Sequence, residues 1–298
     1  MQFADRHKIE VISYLDAEYP QTLKNCHDAP LVIYKRGESN LNSQPAVSIV
    51  GTRKPSSEGR DIARKFATTF SHNGFNVVSG LAFGIDGEAH GAAMRAGGQT
   101  TAVLGHGLDQ IYPRSHTGLA RKILESGGAL LTEFPSGIGP EAYNFPARNR
   151  IISGMSYATI VIEAREKGGA QITARFAFDQ NREVYAVPGA LGSTTSVGCN
   201  RLIRDQVAKL VTDPEEILDD LAMIVKLKER YKGPEGVDPP LDEADKGLIT
   251  VLKAGAAKAE EVAEKAHMTL DETYRRLLDM ELNGLVRKGA GNNYKSAV

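Results

Sequence analysis

The chain has 298 residues, of which 41% are hydrophobic and 24% are charged, and its formal net charge is −1. This composition is typical of a folded protein and excludes disorder along the whole chain. The near-zero charge excludes a globally basic surface, so a nucleic-acid site would have to be a local concentration of Arg and Lys side chains.

Cysteine usage and the first residues bear on the compartment. Cys26 and Cys199 are far apart and form no C-x-x-C pair, which argues against a disulfide framework and against a zinc site. Residues 1–10 carry charges of both signs and lack the apolar stretch of a signal peptide. No apolar run approaches the roughly 20 residues that span a bilayer. We therefore expect a cytoplasmic protein without a membrane partner.

Residues 1–44 show weak periodicity and are expected to form an N-terminal extension that packs on the core. From residue 45 to about 231, short apolar runs alternate with helical segments. This alternation is typical of a parallel sheet covered on both faces. The fold class is therefore α/β, with an extended Rossmann-like, mostly parallel sheet and helices on both faces over residues 45–231. The predicted strands are 47–50, 76–79, 101–104, 129–131, 159–162 and 184–187, and helices are expected through 62–70, over 85–96, near 119–124 and from 213 to about 231.

Residues 232–241 contain three prolines and two glycines, which predict a linker. Amphipathic helices at about 242–253, 258–266 and 270–283, followed by a hairpin pattern over 285–294, predict a winged-helix domain over 242–298. The apolar side chains expected to form its core are Leu248, Ile249, Leu252, Val262, Ala263, Leu277, Leu278 and Leu282.

Ligands of an open parallel sheet bind where strands end and helices begin. The loop 51–57 combines a glycine turn with Arg53, whose forked guanidinium matches a phosphate. The loop 79–86 has small residues at Gly80, Ala82 and Gly84, which leave room for a phosphate or a second backbone. For either loop alone, a glycine turn needed only for packing is an equally good interpretation.

Two further loops add cations. In 144–153, Arg148 and Arg150 lie near a helix start, where their charge is unfavourable unless an anion is present. Pairing with acids such as Glu133 or Glu163 is the alternative, and we favour anion binding. The segment 163–175 contains two more cations and a Gly-Gly helix start.

Four basic or glycine-rich loops at one edge would concentrate positive charge there despite the neutral total. Such a row suits a polymeric phosphate backbone better than a single phosphate. Aromatic residues are sparse, with Phe83 and Phe145 as the main stacking candidates. We therefore expect binding that is largely backbone-directed, weakly sequence-selective and salt-sensitive.

Other sites are less favoured. The phosphate-binding motif G-x-x-x-x-G-K-[ST] does not occur, so the sequence does not favour an ATP-driven motor. Asp86, His90 and His106 could form a metal or acid–base set, but structural roles are favoured because a third ligand beside the first two is not evident. We expect no metal and no cofactor.

The motifs Gly51-Thr52-Arg53, 79–86, 89–90, 145–153, 172–174, 187–189 and 198–200 are together similar to those of the DprA/Smf family, over about residues 9–218. The resemblance implies a Rossmann-type domain that binds single-stranded DNA and is not an enzyme. It further implies protection of incoming DNA during natural transformation, loading of the RecA recombinase, and homodimerisation. The DNA-binding residues it implies are Arg53, Gly80, Ala82, Gly84, Arg148, Asn149, Arg150, Ser153, Arg165, Lys167 and Gly169.

The C-terminal segment also resembles the winged-helix domain of many members, and many also carry an N-terminal SAM-like module for which residues 1–44 are too few. The last helix of a winged helix commonly enters the DNA major groove, yet here it is mainly acidic, so a protein-interaction role is at least as good an interpretation. Its charged residues include Asp271, Glu272, Asp279 and Glu281 against Arg275 and Arg276, while Arg287, Lys288 and Lys295 on the wing keep weak DNA contact open.

Two rival functions come from other classes. The first is an enzyme acting on a nucleotide or nucleotide sugar at the same sheet edge, which fold alone cannot separate from a DNA-binding protein. Against it, the loops contain cations and glycines without a convincing acid–base pair. The second is a double-stranded-DNA regulator acting through the winged helix, and the acidic helix counts against it.

Overall fold

The structure is a computed structural model that describes residues 8–231, 242–253, 255, 257–282, 285–288 and 293–296. The chain forms two compact units, Met1–Ala222 and Met223–Val298. The predicted linker, 232–241, lies outside the described residues. None of the helices in the described ranges combines the length and apolar character that crossing a membrane requires.

The first unit alternates strands and helices as the sequence predicts, and each predicted strand is found within two residues of its expected limits. The strands are β1 (Ile9–Ser13), β2 (Val32–Arg36), β3 (Ala46–Gly51), β4 (Asn76–Ser79), β5 (Thr100–Val103), β6 (Ala129–Thr132), β7 (Ala158–Ile162), β8 (Glu183–Ala186) and β9 (Lys209–Leu210). The helices that begin in this unit are α1 (Gln21–Lys24), α2 (Ser57–His72), α3 (Ile85–Arg95), α4 (Thr117–Glu125), α5 (Asn144–Gly154), α6 (Gly169–Asp179), α7 (Val197–Arg204) and α8 (Pro214–Tyr231), with a 3₁₀ turn at Arg114–His116.

The sheet order is β1-β2-β6-β5-β4-β3-β7-β8-β9. The seven strands from β6 to β9 are parallel, whereas β1 and β2 are antiparallel to their neighbours. Beginning at β3, the chain adds β4, β5 and β6 on one side and then β7, β8 and β9 on the other. The point between β3 and β7 is therefore a topological switch point, where open parallel sheets leave a crevice.

The sheet is buried on both faces, which confirms the predicted fold class. Adjacent residues of one strand point to opposite faces. Val103 and Leu131 belong to one buried cluster, while their neighbours Ala102 and Leu130 belong to another. Strands enclosed in this way are near-continuous apolar runs, which is why the sequence located them.

Residues 9–36 contribute more than the expected extension, because they add β1 and β2 to the sheet. Val11 is exposed on the edge strand β1 and Val32 on its neighbour β2, and Lys35 is buried but forms an ion pair with Glu10 at 2.9 Å. Short strands with polar and exposed positions at the side of a sheet lack the continuous apolar run of a central strand. The prediction therefore missed them.

The second unit has the predicted three helices, which are α9 (Glu243–Lys253), α10 (Ala259–Lys265) and α11 (Leu270–Leu282). It also has three strands, β10 (Ala257–Lys258), β11 (Val286–Lys288) and β12 (Asn293–Ser296). They form a sheet in the order β10-β12-β11. The predicted hairpin is present as the antiparallel pair of β11 and β12. The residues between these strands, 289–292, lie outside the described part of the chain.

Most of the predicted core of this unit is correct. Leu277 is buried, but its neighbour Leu278 is 55% exposed, so the prediction for Leu278 is wrong. Successive helix residues point about 100° apart, and only one of this pair faces the core. The side chain of Leu282 lies outside the described part. The buried residues are Leu248, Ile249, Leu252, Val262, Ala263 and Leu277, joined by Met280, Leu285, Val286 and Tyr294.

Gly51, the last residue of β3, is required by close packing. A Cβ there would overlap the carbonyl oxygen of Ile162 and lie 2.5 Å from Cγ1 of Ile85. We predict that Gly51→Ala lowers the free energy of unfolding by roughly 1–3 kcal/mol, because the backbone of two strands would have to separate. Urea denaturation followed by circular dichroism measures this.

The matched control is Gly118→Ala in α4, where an added Cβ meets nothing within 4 Å. This change should leave stability unchanged or raise it by roughly 0.5 kcal/mol, since Ala is the better helix former. Equal destabilisation by the two variants would contradict the packing of β3 against β7.

Candidate functional site

Three loops meet at the switch point through main-chain hydrogen bonds. The amide of Thr52, after β3, donates to the carbonyl of Glu163, after β7, at 2.7 Å. The amide of Ile85, at the start of α3, donates to the carbonyl of Thr52 at 3.2 Å. The loops after β3, β4 and β7 therefore form one connected wall, as the common edge of parallel strands predicted.

A cavity of about 690 Å³ opens at this wall. It takes residues from the loops after β3, β4 and β7 and from the first turns of α5 and α6, so the four predicted loops do converge. Among its lining residues are Thr52, Arg53, Lys54, Ala82, Asp86, Tyr112, Phe145, Arg148, Asn149, Arg165, Lys167, Gly168, Gly169 and Thr173.

Four cationic side chains line the cavity and are exposed: Arg53, Lys54, Arg165 and Lys167. Within residues 8–231 and the described part of the second unit, none of these side chains forms a hydrogen bond or an ion pair. Arg53 lies over the ring of Phe145, with 6.0 Å between its Cζ and the ring centroid. Asp86 lines the same cavity near Arg53, but it is buried and accepts from main-chain amides. Exposed positive charge that is not held in ion pairs favours an anionic ligand.

The N-terminus of α6 adds main-chain donors to the same cavity. Gly168 precedes the helix and has no capping side chain, and Gly169 is the first helical residue. A Cβ would meet nothing within 4 Å at Gly168 and only Asn149 Nδ2, at 3.8 Å, at Gly169. Packing within the chain therefore does not require these glycines. They leave the free amides of a helix start open to an approaching anion.

Arg148 lines the cavity but is 4% exposed, and its guanidinium is directed into the protein. It donates to the carbonyl of Gly80 at 2.8 Å and also to that of Val103. Asp86, on the other side of Gly80, accepts from the amides of Gly80 and Ala82 at 3.1 and 3.3 Å. The two buried charges fix the loop after β4 from both sides.

Burial lowers the pKa of Arg148 to about 10, so the side chain remains a cation at neutral pH. Burial also raises the pKa of Asp86, and the charge of Arg148 and the two amide donors oppose that rise. The positive charge of Arg148 thus adds to the potential of the cavity, while its Nε and Nη1 donate to groups inside the protein.

Arg150 and Ser153 do not line the cavity, which corrects the expectation that they face the ligand with Arg148. Arg150 donates to the Glu133 carboxylate at 2.5 Å and to the carbonyl of Asp28 at 2.7 Å. Ser153 is fully buried and donates to Gln180 Oε1 at 2.6 Å. Pairing with Glu133 was the alternative left open for these arginines, and it holds for Arg150.

The remaining predicted residues have mixed environments. Arg148 and Asp86 pack closely against Gly80, where an added Cβ would lie 2.8 Å from the guanidinium of Arg148. Gly84 has a φ of +78° and packs on the carbonyl of Thr52. Ala82 lines the cavity, and Asn149 lines it while donating to the carbonyl of Gly169 at 3.3 Å.

Several lining residues were not predicted as binding residues, and Lys54 and Tyr112 are the most informative of them. Lys54 follows Arg53 directly, so its position in the same loop is a sequence signal for it. Tyr112 is 43% exposed and packs on Phe145, with 5.6 Å between ring centroids. It lies on the distant loop after β5, and only the tertiary structure brings it to the cavity. Phe83, 47% exposed, contacts His116 instead.

The candidate acid–base residues have structural partners. His90 Nδ1 lies 2.6 Å from the Thr100 hydroxyl, which itself donates to the carbonyl of Val77. His106 lies 2.9 Å from the carbonyl of Gly107 through Nδ1. Among the described residues, no three His, Cys, Asp or Glu side chains come together as a possible metal site.

Fold and site together define the class of protein: a Rossmann-like sheet with a cation-lined cavity at its switch point, followed by a winged-helix unit. The pattern of the family described as DNA recombination-mediator protein A matches residues 10–222, and that of the DprA winged helix domain matches residues 232–292. The chain belongs to the DprA/Smf family of DNA-processing proteins.

Relatives and solved structures agree with this assignment. Protein Smf of Escherichia coli (strain K12) is 40% identical over 273 residues, which are 90% of this chain and 72% of that protein. DprA of Bacillus subtilis is 39% identical over 72% of this chain and 71% of that protein. DprA of Streptococcus pneumoniae superposes with a TM-score of 0.67 at 38% identity, over 73% of this chain and 77% of that one. DprA of Helicobacter pylori superposes with a TM-score of 0.65 at 26% identity, over 72% of this chain and 96% of that one.

His90 provides a pH test of the buried structure beside the cavity. Because Thr100 Oγ1 donates to Val77, it accepts from His90 Nδ1–H, and Nε2 is left buried without a partner. Burial lowers the pKa of His90 to about 3. The unfolded chain therefore binds a proton that the folded protein does not between pH 6.5 and about 3, so stability is lost as pH falls through this window.

We predict that acidification from pH 7 to pH 4 removes about 3 kcal/mol of stability through His90 alone. Urea denaturation at several pH values should show a flatter pH dependence for His90→Gln than for the unaltered protein. The matched control is His72→Gln on the exposed end of α2. Parallel pH profiles for all three proteins would contradict a buried, neutral His90.

Proposed function

We propose that the protein binds single-stranded DNA in the cavity at the switch point between β3 and β7. The observation that carries this proposal is the convergence of four exposed cations, Arg53, Lys54, Arg165 and Lys167, on one cavity. In the described residues none of them forms an ion pair with an acidic side chain. Single strands are bound where a cationic groove follows the phosphate backbone and aromatic rings supply stacking surfaces.

Several phosphates fit this arrangement better than one. The cations come from two loops on opposite sides of the switch point, and the amides of Gly168 and Gly169 add a third group of donors. A single phosphate would need only one such group. Phe145 and Tyr112 offer a small stacking surface next to Arg53. The contacts are mainly to phosphates, which makes binding salt-sensitive and weakly sequence-selective.

A family relative supports the ligand. The DprA structure of Helicobacter pylori is described in terms of its single-stranded DNA binding mode, and its sequence is 26% identical to this chain. We extend that ligand to this protein because the cavity at the switch point contains the cations that a phosphate chain requires.

The eleven predicted residues divide into three roles under this proposal. Arg53, Arg165 and Lys167 contact phosphates, together with Lys54. Ala82, Asn149 and Gly169 line the path of the strand. Arg148, Gly80 and Gly84 fix the loops, and Arg150 and Ser153 hold α5 from inside the protein.

The nucleotide-acting enzyme remains the alternative from another class, and we propose that no reaction is catalysed. Asp86, His90 and His106 are the acid–base candidates that the sequence suggested. Each of them is engaged in internal hydrogen bonds. A general base has to be free to reach its proton.

Duplex recognition by the winged helix is less favoured. Arg276 of α11 is held by Asp242 and Asp245, each at 2.8 Å, and by Glu272 at 3.3 Å. The three carboxylates neutralise the charge of this guanidinium, which makes it a poor ligand for phosphates. Of the two arginines on α11, only Arg275 is without such an ion pair in the described residues.

The wider role is proposed from family membership. We propose that the protein protects incoming DNA in natural transformation, delivers it to the RecA recombinase and acts as a homodimer in the cytoplasm. Sedimentation equilibrium tests the dimer, since a monomer has a mass of 32.2 kDa. Coprecipitation of purified RecA with the protein in the presence and absence of DNA tests the partner.

Alanine variants of the cavity cations test the DNA site. We predict that Arg53→Ala and Lys167→Ala each weaken binding of an oligo-dT strand by about tenfold at low salt, similarly for other base sequences. Each should also reduce the slope of log K against log salt by about 0.7 per lost phosphate contact. Fluorescence anisotropy over a salt series measures both quantities.

The control is Arg121→Ala, which removes an exposed cation from α4, a helix without cavity-lining residues. It should leave affinity and slope unchanged. Full affinity in both Arg53→Ala and Lys167→Ala would exclude this cavity as the DNA site. Tighter binding of a mononucleotide than of oligo-dT, with little salt dependence, would favour the enzyme.

A further inference from the structure

Glu163 is an acidic residue among the cationic loops and has an unusual backbone conformation. It directly follows β7 and has a φ of +52°, a region that residues with side chains rarely adopt. Such a conformation costs free energy and persists only where the surroundings stabilise it. The contacts of Glu163 identify what stabilises it.

The carboxylate of Glu163 binds the N-terminus of α2. Oε2 accepts from the amide of Ser56 at 2.8 Å, and Oε1 accepts from the Ser56 hydroxyl at 2.5 Å. The hydroxyl of Thr195, in the loop after β8, donates to Oε1 at 3.4 Å. A Cβ at Gly59 would lie 2.5 Å from the carboxyl carbon, so the first turn of α2 accommodates this side chain closely.

The main chain of Glu163 holds the same loop at its other end, because its carbonyl accepts from the amide of Thr52 at 2.7 Å. Thr52 and Ser56 thus both bind Glu163, and Arg53 and Lys54 lie between them in sequence. One residue therefore fixes both ends of the first cationic loop.

Glu163 also begins the second cationic loop, since Arg165 and Lys167 follow it by two and four residues. Among the described residues, its carboxylate has no cationic partner. The amide of Ser56, which caps α2, and the hydroxyls of Ser56 and Thr195 compensate its charge instead. The Glu163 carboxylate thus connects the loop after β7 to the loop after β3. It does so without forming an ion pair with the cations that line the cavity.

We propose that Glu163 is a positioning residue that sets the spacing between the two cationic loops, so that Arg53, Lys54, Arg165 and Lys167 bind successive phosphates of one strand. This inference rests on the proposed single-stranded DNA function. By simple electrostatics, removal of a carboxylate near a polyanion site should tighten DNA binding. A positioning role predicts the opposite, that removal of the Glu163 carboxylate weakens binding.

The experiment compares Glu163→Gln with the unaltered protein in oligo-dT titrations over a salt series. Glu163→Gln keeps the size of the side chain but loses the charge that holds Ser56. We expect about tenfold weaker binding, the equivalent of one hydrogen bond to a charged group. We also expect a shallower salt slope, because fewer phosphates are engaged at once.

Glu163→Gly is the second variant, since glycine adopts the positive φ without strain and the fold is retained. Circular dichroism melting confirms folding of each variant. The matched control is Glu166→Gln, which removes an exposed carboxylate from the same loop, where it pairs with Arg201 at 3.6 Å. This control should bind oligo-dT as tightly as the unaltered protein or more tightly.

The outcomes separate this inference from the proposed function. If the unaltered protein does not bind oligo-dT, the proposed function fails. If the unaltered protein binds and folded Glu163→Gln and Glu163→Gly bind equally well or more tightly, with the same salt slope, Glu163 has no positioning role. Weaker binding with a reduced slope in both variants supports it.

Discussion

The pairing of β3 with β7 is the constraint on which the site depends. The last pair in this register joins Gly51 to Ile162, and each strand is followed at once by a cationic loop. Because the sheet grows in opposite directions from this pair, the following helices diverge and leave a crevice between them. Glycine at position 51 permits the close approach. Charge from two distant parts of the sequence is concentrated by this one contact.

Most of the fold could be predicted from the sequence, and the errors have a common cause. Enclosed parallel strands are apolar runs, so β3 to β8 were found from local pattern alone. β1 and β9 are the short edge strands and β2 lies next to β1, and Val11 and Leu210 are exposed on the two edges. Local hydrophobicity does not reveal such strands, because their identity depends on the neighbour with which they pair. Leu278 shows the same limit within a helix, where its position relative to the core decides its burial.

The site was predictable as a set of loops but not as a set of contacts. Arg53, Arg165 and Lys167 line the cavity as the sequence indicated. Arg148 and Arg150 lie in the same motif, yet one donates to internal carbonyls and the other pairs with Glu133. An arginine that binds a ligand and one that stabilises a loop look alike in sequence, because the acceptor that distinguishes them comes from another strand. The DNA-binding assignments themselves remain predictions.

The paired glycines at the start of α6 have a consequence for how this surface tolerates change. Donors that belong to the peptide backbone are present whatever side chains surround them, so drift in the neighbouring composition leaves them intact. Lengthening or shortening the loop would instead rotate the first helical turn and redirect every donor together. A change of loop length or an added Cβ at Gly168 or Gly169 should therefore disturb these donors more than a change in the identity of flanking residues.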